Sequence, residues 1–282
     1  MGDIVGRRRA LALGLAAATA TPLALAGAAN PAAAQAPGLP ESRGKTYVLV
    51  HGSWGGGWFW APVAERLRAQ GHRVFTPTQT GLGERKHLLS RDITIDTFVE
   101  DIVNVLEAEE LRDVILAGHS SGGFPITGAA DRAAGRIRHV VYLDAAIAQG
   151  GQSYFDAFPP EVAAARRRAA QDHGGGVAVP VPPIEGLASI GVPPGPVAEW
   201  LHRRFTPHPI GTFETPLKLA NPVGNGRPCT YAFFTSPPFT AFEGMRRWAR
   251  GREGWNWVEL AASHVAPVTV PDEVARLLAG IG

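Results

Sequence analysis

Gly118-His119-Ser120-Ser121-Gly122 fits the pattern G-x-S-x-G. It follows the apolar run Val114-Ile115-Leu116-Ala117 and precedes a segment, 122–134, that reads as a helix. On such a strand-to-helix turn the central serine hydroxyl is lifted above its neighbours. The helix N-terminus behind it presents unpaired N–H groups and a positive dipole end. The chemistry implied is nucleophilic attack by Ser120, which requires a base and a set of donors for the oxyanion that forms. A register centred on Ser121 would not place glycine on both sides of it.

The expected base is His264, in Ala262-Ser263-His264-Val265 beyond the last apolar run. His51 and His119 belong to Gly-rich turns and are expected to orient backbone, whereas His72 and His139 sit at strand starts. His173, His202 and His208 fall in a Pro/Gly-rich stretch where solvated surface is expected. The donors are expected to be the backbone N–H groups of Ser53 and Ser121. Ser53 lies in His51-Gly52-Ser53-Trp54-Gly55-Gly56-Gly57-Trp58, whose glycines allow close backbone approach. A phosphate-binding loop is a poorer reading of that segment, because neither a Walker lysine nor G-x-G-x-x-G spacing is present. Trp54, Trp58 and Trp60 are expected to pack rather than to contact substrate. No His/Cys/carboxylate group has ligand spacing, so neither metal nor other cofactor is expected.

These residues need a scaffold that brings distant strand ends together. Apolar strands are expected at 47–50, 73–76, 114–117, 140–143, 230–234 and 257–260. Helices are expected at 62–70, 95–109, 122–134 and 271–279; in the second, Ile95, Phe98, Val99, Ile102 and Leu106 recur at spacings of three and four. Continuous apolar strands alternating with helices predict a mostly parallel central sheet covered on both faces. Ligands then bind beyond the carboxyl ends of the strands, where His51–Ser53, Ser120, Asp144, Ser236 and His264 all fall. The alternation breaks from about 145 to 228, a stretch marked by Pro159-Pro160, Gly174-Gly175-Gly176, Pro182-Pro183 and Pro193-Pro194. It is read as a cap inserted over the strand ends, with a basic helical piece at 161–170.

The N-terminus reads as a targeting segment. Arg7-Arg8-Arg9, an apolar run from Ala10 to about Gly27, and Ala34-Gln35-Ala36 have the order of an export signal over residues 1–36, and the adjacent arginines suggest the twin-arginine route. A mature chain of residues 37–282, outside the cytoplasm and without stable membrane insertion, is expected. The 282 residues are 45% hydrophobic and 18% charged, enough for a sizeable core. The formal charge of +2 resides entirely in residues 1–36, leaving the rest neutral. Scattered Arg and Lys give no nucleic-acid signature, so the expected partner is a small molecule. The lone Cys229 excludes an intrachain disulfide.

His51-Gly52-Ser53-Trp54, Gly81-Leu82-Gly83-Glu84-Arg85, Gly118-His119-Ser120 and Val141-Tyr142-Leu143-Asp144-Ala145 resemble α/β-hydrolase-fold esterases of the bacterial pyrethroid-hydrolase type, which are similar to plant methyl-salicylate esterases and hydroxynitrile lyases. The resemblance runs from about Tyr47 to Leu278, apart from the cap, and implies cofactor-free hydrolysis of carboxylic esters; the aromatic and Pro-rich cap suggests substrates with a small to medium apolar acyl or alcohol group. Two departures bear on the site. Plant relatives carry the triad acid after the strand equivalent to 230–234, where this chain reads Thr235-Ser236-Pro237-Pro238. The lyases carry a lysine after the base and a threonine in the oxyanion loop, where this chain has Val265 and Gly52. Asp144, at the end of the 140–143 strand, is therefore the expected acid, as in some haloalkane dehalogenases, with Glu243 as the alternative. Lactone opening, cyclisation or lyase chemistry on the same scaffold, and a non-catalytic binding role, are the competing readings.

Overall fold

The computed structural model describes residues 44–282 except Pro193; the expected targeting segment lies outside the described residues. The chain alternates strands and helices: β1 (Thr46–Val50), α1 (Ala61–Ala69), β2 (Arg73–Phe75), α2 (Ile95–Ala108), β3 (Val114–His119), α3 (Gly123–Ala133) and β4 (Ile137–Leu143). An insertion follows, with α4 (Pro160–His173), β5 (Ala178–Val179), α5 (Pro196–Arg204), β6 (His208–Pro209) and α6 (Gly211–Glu214). The chain then returns through β7 (Cys229–Phe234), α7 (Glu243–Arg250), β8 (Trp255–Leu260), α8 (Ala266–Thr269) and α9 (Pro271–Ala279).

Six strands form one sheet in the order β2-β1-β3-β4-β7-β8, and every neighbouring pair is parallel. Successive side chains of a strand point to opposite faces. In β1, Val48 and Val50 join one apolar cluster while Tyr47 and Leu49 join the other. In β3 and β4 the same split puts Leu116 and Tyr142 on one side, Ala117 and Leu143 on the other. Because both faces are apolar, both must be covered. The cluster on the first face draws on α2 and α3, and that on the second on α1 and α9. The sheet belongs to the expected fold class, with helices on both sides.

The strand order places the site. From β1 the chain steps outward to β2, then crosses back over β1 to β3 and onward to β4. The direction of winding thus reverses between β1 and β3. Loops leaving the carboxyl ends of those two strands diverge, which opens a crevice at that point.

The insertion carries more regular structure than its composition predicts. Prolines stand in the first turn of α4 and α5, where a missing N–H costs nothing, so the Pro-rich stretches start helices here. β5 and β6 pair antiparallel in a short ribbon, Ala178 with Pro209 and Val179 with His208.

Candidate functional site

β3 ends at His119, and a single 3-10 turn, Ser120–Gly122, leads into α3. Ser120 has φ +54°, a left-handed conformation that L-residues avoid, and the surrounding packing holds it there. The glycines are needed for steric reasons. A Cβ at Gly118 would lie 2.7 Å from the Gly122 carbonyl oxygen, and one at Gly122 would lie 2.6 Å from that of His51. A Cβ at Gly123 would be only 1.9 Å from the Ala146 carbonyl oxygen. The turn therefore packs backbone to backbone against the ends of both β1 and β4.

His264 follows β8, ahead of the short helix α8. Its Nε2 lies 3.0 Å from Ser120 Oγ. Its Nδ1 lies 2.7 Å from Oδ2 of Asp144, the residue after β4. Since Nδ1–H donates to that carboxylate, Nε2 carries the lone pair and faces the serine. The other Asp144 oxygen, Oδ1, accepts from Arg246 Nη1 at 3.4 Å. Arg246 is itself buried, donates to the Phe239 carbonyl oxygen at 2.7 Å, and stacks on the Phe233 ring. Phe239 lies against the His264 ring with centroids 4.3 Å apart, which shields the imidazole from water. The fold thus brings Ser120, His264 and Asp144 together. Glu243 is exposed on α7 and pairs with Arg247 at 2.5 Å. The turn after β7 supplies no carboxylate.

Ser53 and Ser121 also meet. The Ser53 hydroxyl donates to Ser121 Oγ at 2.9 Å across the gap between the β1 and β3 loops. Gly52 makes this approach possible, since a Cβ there would lie 2.8 Å from Ser120 Cβ. His51 braces the same loop. Its Nδ1–H donates to the Gly52 carbonyl oxygen at 2.8 Å and its Nε2 accepts from the Gln79 N–H at 3.1 Å. Burial lowers its pKa to about 4, partly opposed by the Gly52 carbonyl and the charges of Glu84 and Asp101. His119 has its pKa pushed well down by burial and by nearby His264. Its Nε2–H donates to the His264 carbonyl oxygen at 2.7 Å, tying the base's backbone to the nucleophile's turn.

These groups open onto a cavity of about 730 Å³ between the strand ends and the insertion. Ser120, His264, Gly52 and Ser53 form its floor. Val162, Ala165, Ala169, Leu187 and Phe205 contribute apolar walls. Trp54 was expected only to pack, yet it also lines this space, held by Nε1–H donation to the Pro180 carbonyl oxygen at 3.0 Å. Trp60 is fully buried, and Trp58 stacks edge-on against Trp200. His208 departs from its expected solvated position. It is buried, accepts from the Trp54 N–H, and stacks on Phe213 at 4.2 Å. His173, exposed, stands at the cavity edge. Cys229 is free and buried, with its thiol pushed up to about 12 by burial.

Three residues in or behind the site are illegible from the sequence. Arg246 lies on an amphipathic helix whose charged residues read as solvated. Tyr154 and Arg166 lie in the insertion, where no motif singles them out. No group of three or more His, Cys, Asp or Glu able to hold a metal occurs among the described residues.

Comparison with known proteins agrees with this fold. The model of the α/β hydrolase family matches residues 47–277. The chain is 39% identical over 244 residues to a carbendazim-hydrolysing esterase of Nocardioides sp. (strain SG-4G), covering 84% of this chain and 99% of that one. Among solved structures, it is similar to an extracellular α/β-hydrolase from a Paenibacillus species, with TM-score 0.73 and 27% identity over 83% of this chain and 97% of that one. A pyrethroid hydrolase from Sphingobium faniae JZ-2 shares the fold at TM-score 0.64 and 21% identity, covering 83% and 96% of the two chains. With the family model spanning nearly all of the sheet-forming sequence, this chain belongs to the α/β hydrolase family.

Proposed function

We propose that this α/β hydrolase cleaves carboxylic esters of small to medium apolar substrates through an acyl-enzyme, with Ser120 as nucleophile, His264 as base and Asp144 as the orienting acid. The observation that carries the reading is the unbroken hydrogen-bonded series Ser120–His264–Asp144 at the floor of an apolar cavity. In the first half-reaction Ser120 Oγ attacks the ester carbonyl carbon while its proton passes to His264 Nε2. The carbonyl π pair moves onto oxygen, which the N–H groups of Ser53 and Ser121 receive. The tetrahedral intermediate collapses, the C–O bond to the alcohol breaks, and the departing alkoxide takes the proton from His264. Water, deprotonated by the same nitrogen, then releases the acid and restores Ser120. Asp144 holds the imidazole tautomer and stabilises the cation that forms on it. The esterase name of the Nocardioides relative supports this choice of reaction over a lyase. So does the absence of a lysine after His264.

The test is turnover of a panel of p-nitrophenyl esters, aryl esters and lactones by native protein and Ser120→Ala. Hydrolysis of esters, lost by about a millionfold in Ser120→Ala, is the expected result. Activity retained in Ser120→Ala but lost in Ser121→Ala would overturn the assignment of the nucleophile. Preference for lactones would move the reading to ring opening.

Export by the twin-arginine route is part of the same proposal, supported by Arg7–Arg9, the apolar run and Ala34-Gln35-Ala36. Among the described residues no helix is long and apolar enough to cross a membrane. The Paenibacillus neighbour is described as extracellular. Sequencing the N-terminus of exported protein should give a start near Pro37; a cytoplasmic chain retaining Met1 refutes the proposal.

A further inference from the structure

The cavity roof holds a phenol whose role the triad does not account for. Tyr154 opens a 3-10 turn, Tyr154–Ala157, early in the insertion that follows β4. The turn is rigid because Asp156 Oδ2 accepts from both the Ser153 N–H, at 2.7 Å, and the Ser153 hydroxyl, at 2.9 Å. The ring is only 3% exposed and is gripped by Phe124, Phe158 and Phe213, with centroids 5.5, 5.0 and 4.8 Å away. A buried phenol in an apolar cluster requires a polar partner for its hydroxyl. Tyr154 lines the same cavity as Ser53, Ser120 and Arg166, and interaction with those three side chains opposes the burial of its phenol. Those serines mark the two edges of the position an oxyanion takes: one carries the expected donor N–H, the other the bond to the tetrahedral carbon.

Arg166 stands behind the phenol. It projects from α4, lines the cavity, and stacks over Phe158 at 4.4 Å. Its Nη1 is buried without an acceptor, and it pairs with no carboxylate among the described residues. An uncompensated buried donor is destabilising. Negative charge appearing in the cavity during the reaction offsets that cost. Burial holds the Tyr154 phenol above the usual tyrosine range, opposed by the Arg166 charge, so it remains a donor throughout the working pH range.

We propose that Tyr154 is a further catalytic residue, its hydroxyl donating a third hydrogen bond to the oxyanion beside the N–H groups of Ser53 and Ser121, with Arg166 positioning and polarising it. This rests on the esterase reading above. In the free enzyme the Tyr154 phenol stands at the cavity that Ser53 and Ser120 also line. When the ester carbonyl enters and Ser120 Oγ bonds to its carbon, the O–H turns to the carbonyl oxygen, which becomes the stronger acceptor. The proton stays on the phenol, so no additional acid or base is needed.

The experiment measures kcat/KM on one p-nitrophenyl ester for native protein, Ser120→Ala, Tyr154→Phe, Arg166→Met and the Tyr154→Phe/Arg166→Met double variant. It also measures affinity for two ligands of one carbon skeleton: a trifluoromethyl ketone, which forms an oxyanion adduct on Ser120, and the secondary alcohol, which does not. Tyr154→Phe is expected to lower kcat/KM and ketone affinity together by about 10- to 100-fold, below the loss typical of a sole side-chain donor because two N–H groups remain. Alcohol affinity is expected to stay within twofold. Arg166→Met is expected to lose about fivefold alone and nothing further when Tyr154 is already Phe, because it acts through the phenol. Tyr154→Phe activity within twofold of native overturns the proposal, as does equal weakening of ketone and alcohol, which would mark a purely structural ring. An Arg166→Met loss that persists in full in the double variant overturns the role given to Arg166. Native protein without Ser120-dependent turnover overturns the esterase reading and this inference together.

Discussion

Asp144 is fully buried, and a carboxylate in that position is tolerable only because each oxygen faces a cation or a donor. His264 Nδ1–H serves Oδ2, and the Arg246 guanidinium serves Oδ1 from the side away from the serine. The carboxylate is therefore held where the imidazole needs it. Replacing Asp144 by Asn preserves volume, but an amide NH₂ turned to Nδ1 donates to it and favours the wrong tautomer, and an amide oxygen there lacks the charge that stabilises the imidazolium. Asp144→Asn is expected to lower kcat by about ten-thousand-fold. Glu243→Gln is expected to leave it near native, because Glu243 lies exposed beside Arg247 and pairs of that kind contribute about 0.5 kcal/mol or less. Measuring kcat for the two variants side by side decides between the carboxylates; a near-native Asp144→Asn enzyme refutes the assignment. Both candidates could be named from the sequence. Choosing between them from spatial contact required the fold, because Asp144 and His264 are 120 residues apart.

Strand and helix positions were readable for a physical reason. Strands buried on both faces are apolar throughout, and amphipathic helices repeat every three or four residues, so β1, β3, β4, β7, α2 and α9 announce themselves. The expected boundaries differ from the observed ones mainly at strand starts: β4 begins at Ile137 and β8 at Trp255. There, polar or half-buried residues such as Arg138, His139 and Asn256 extend the pairing without extending the apolar run. The insertion was harder to read. Its helices carry small residues and arginines, as in Ala163-Ala164-Ala165-Arg166-Arg167-Arg168, and this pattern resembles a solvated surface. Yet from that helix Val162, Ala165, Arg166 and Ala169 line the cavity. A helix over a cavity that is itself apolar needs no strong hydrophobic stripe, so periodicity is a weak guide to it.

The whole molecule holds several histidines neutral, and its stability should depend on pH accordingly. His51 is pushed down to about 4, and His119 and His208 lie well below their usual value, all chiefly through burial. Between about pH 6.5 and pH 4 the unfolded chain takes up protons on these rings while the folded one does not. Stability is therefore complete above pH 6.5 and declines as pH falls through that window. His51 alone accounts for about 2 kcal/mol between pH 7.5 and pH 5. Urea unfolding at those two values is the check; equal unfolding free energies would refute the neutral, buried state of these rings.

By itself the sequence determined the layered fold, the nucleophile turn and the set of strand-end residues from which a site could be drawn. Those features are local: periodicity over a dozen residues, glycines where backbone must touch backbone, and short motifs tied to one strand and one helix. Only the tertiary structure decided what stands behind and above the serine. Arg246 against Asp144, His208 under Trp54, and Tyr154 with Arg166 beside Ser53 and Ser120 at the cavity are juxtapositions of segments up to 154 residues apart. Residue type does not disclose them, because an arginine or tyrosine has the same signature in a sequence whether it is solvated or buried against a partner; the partner is chosen by the packing of the whole chain.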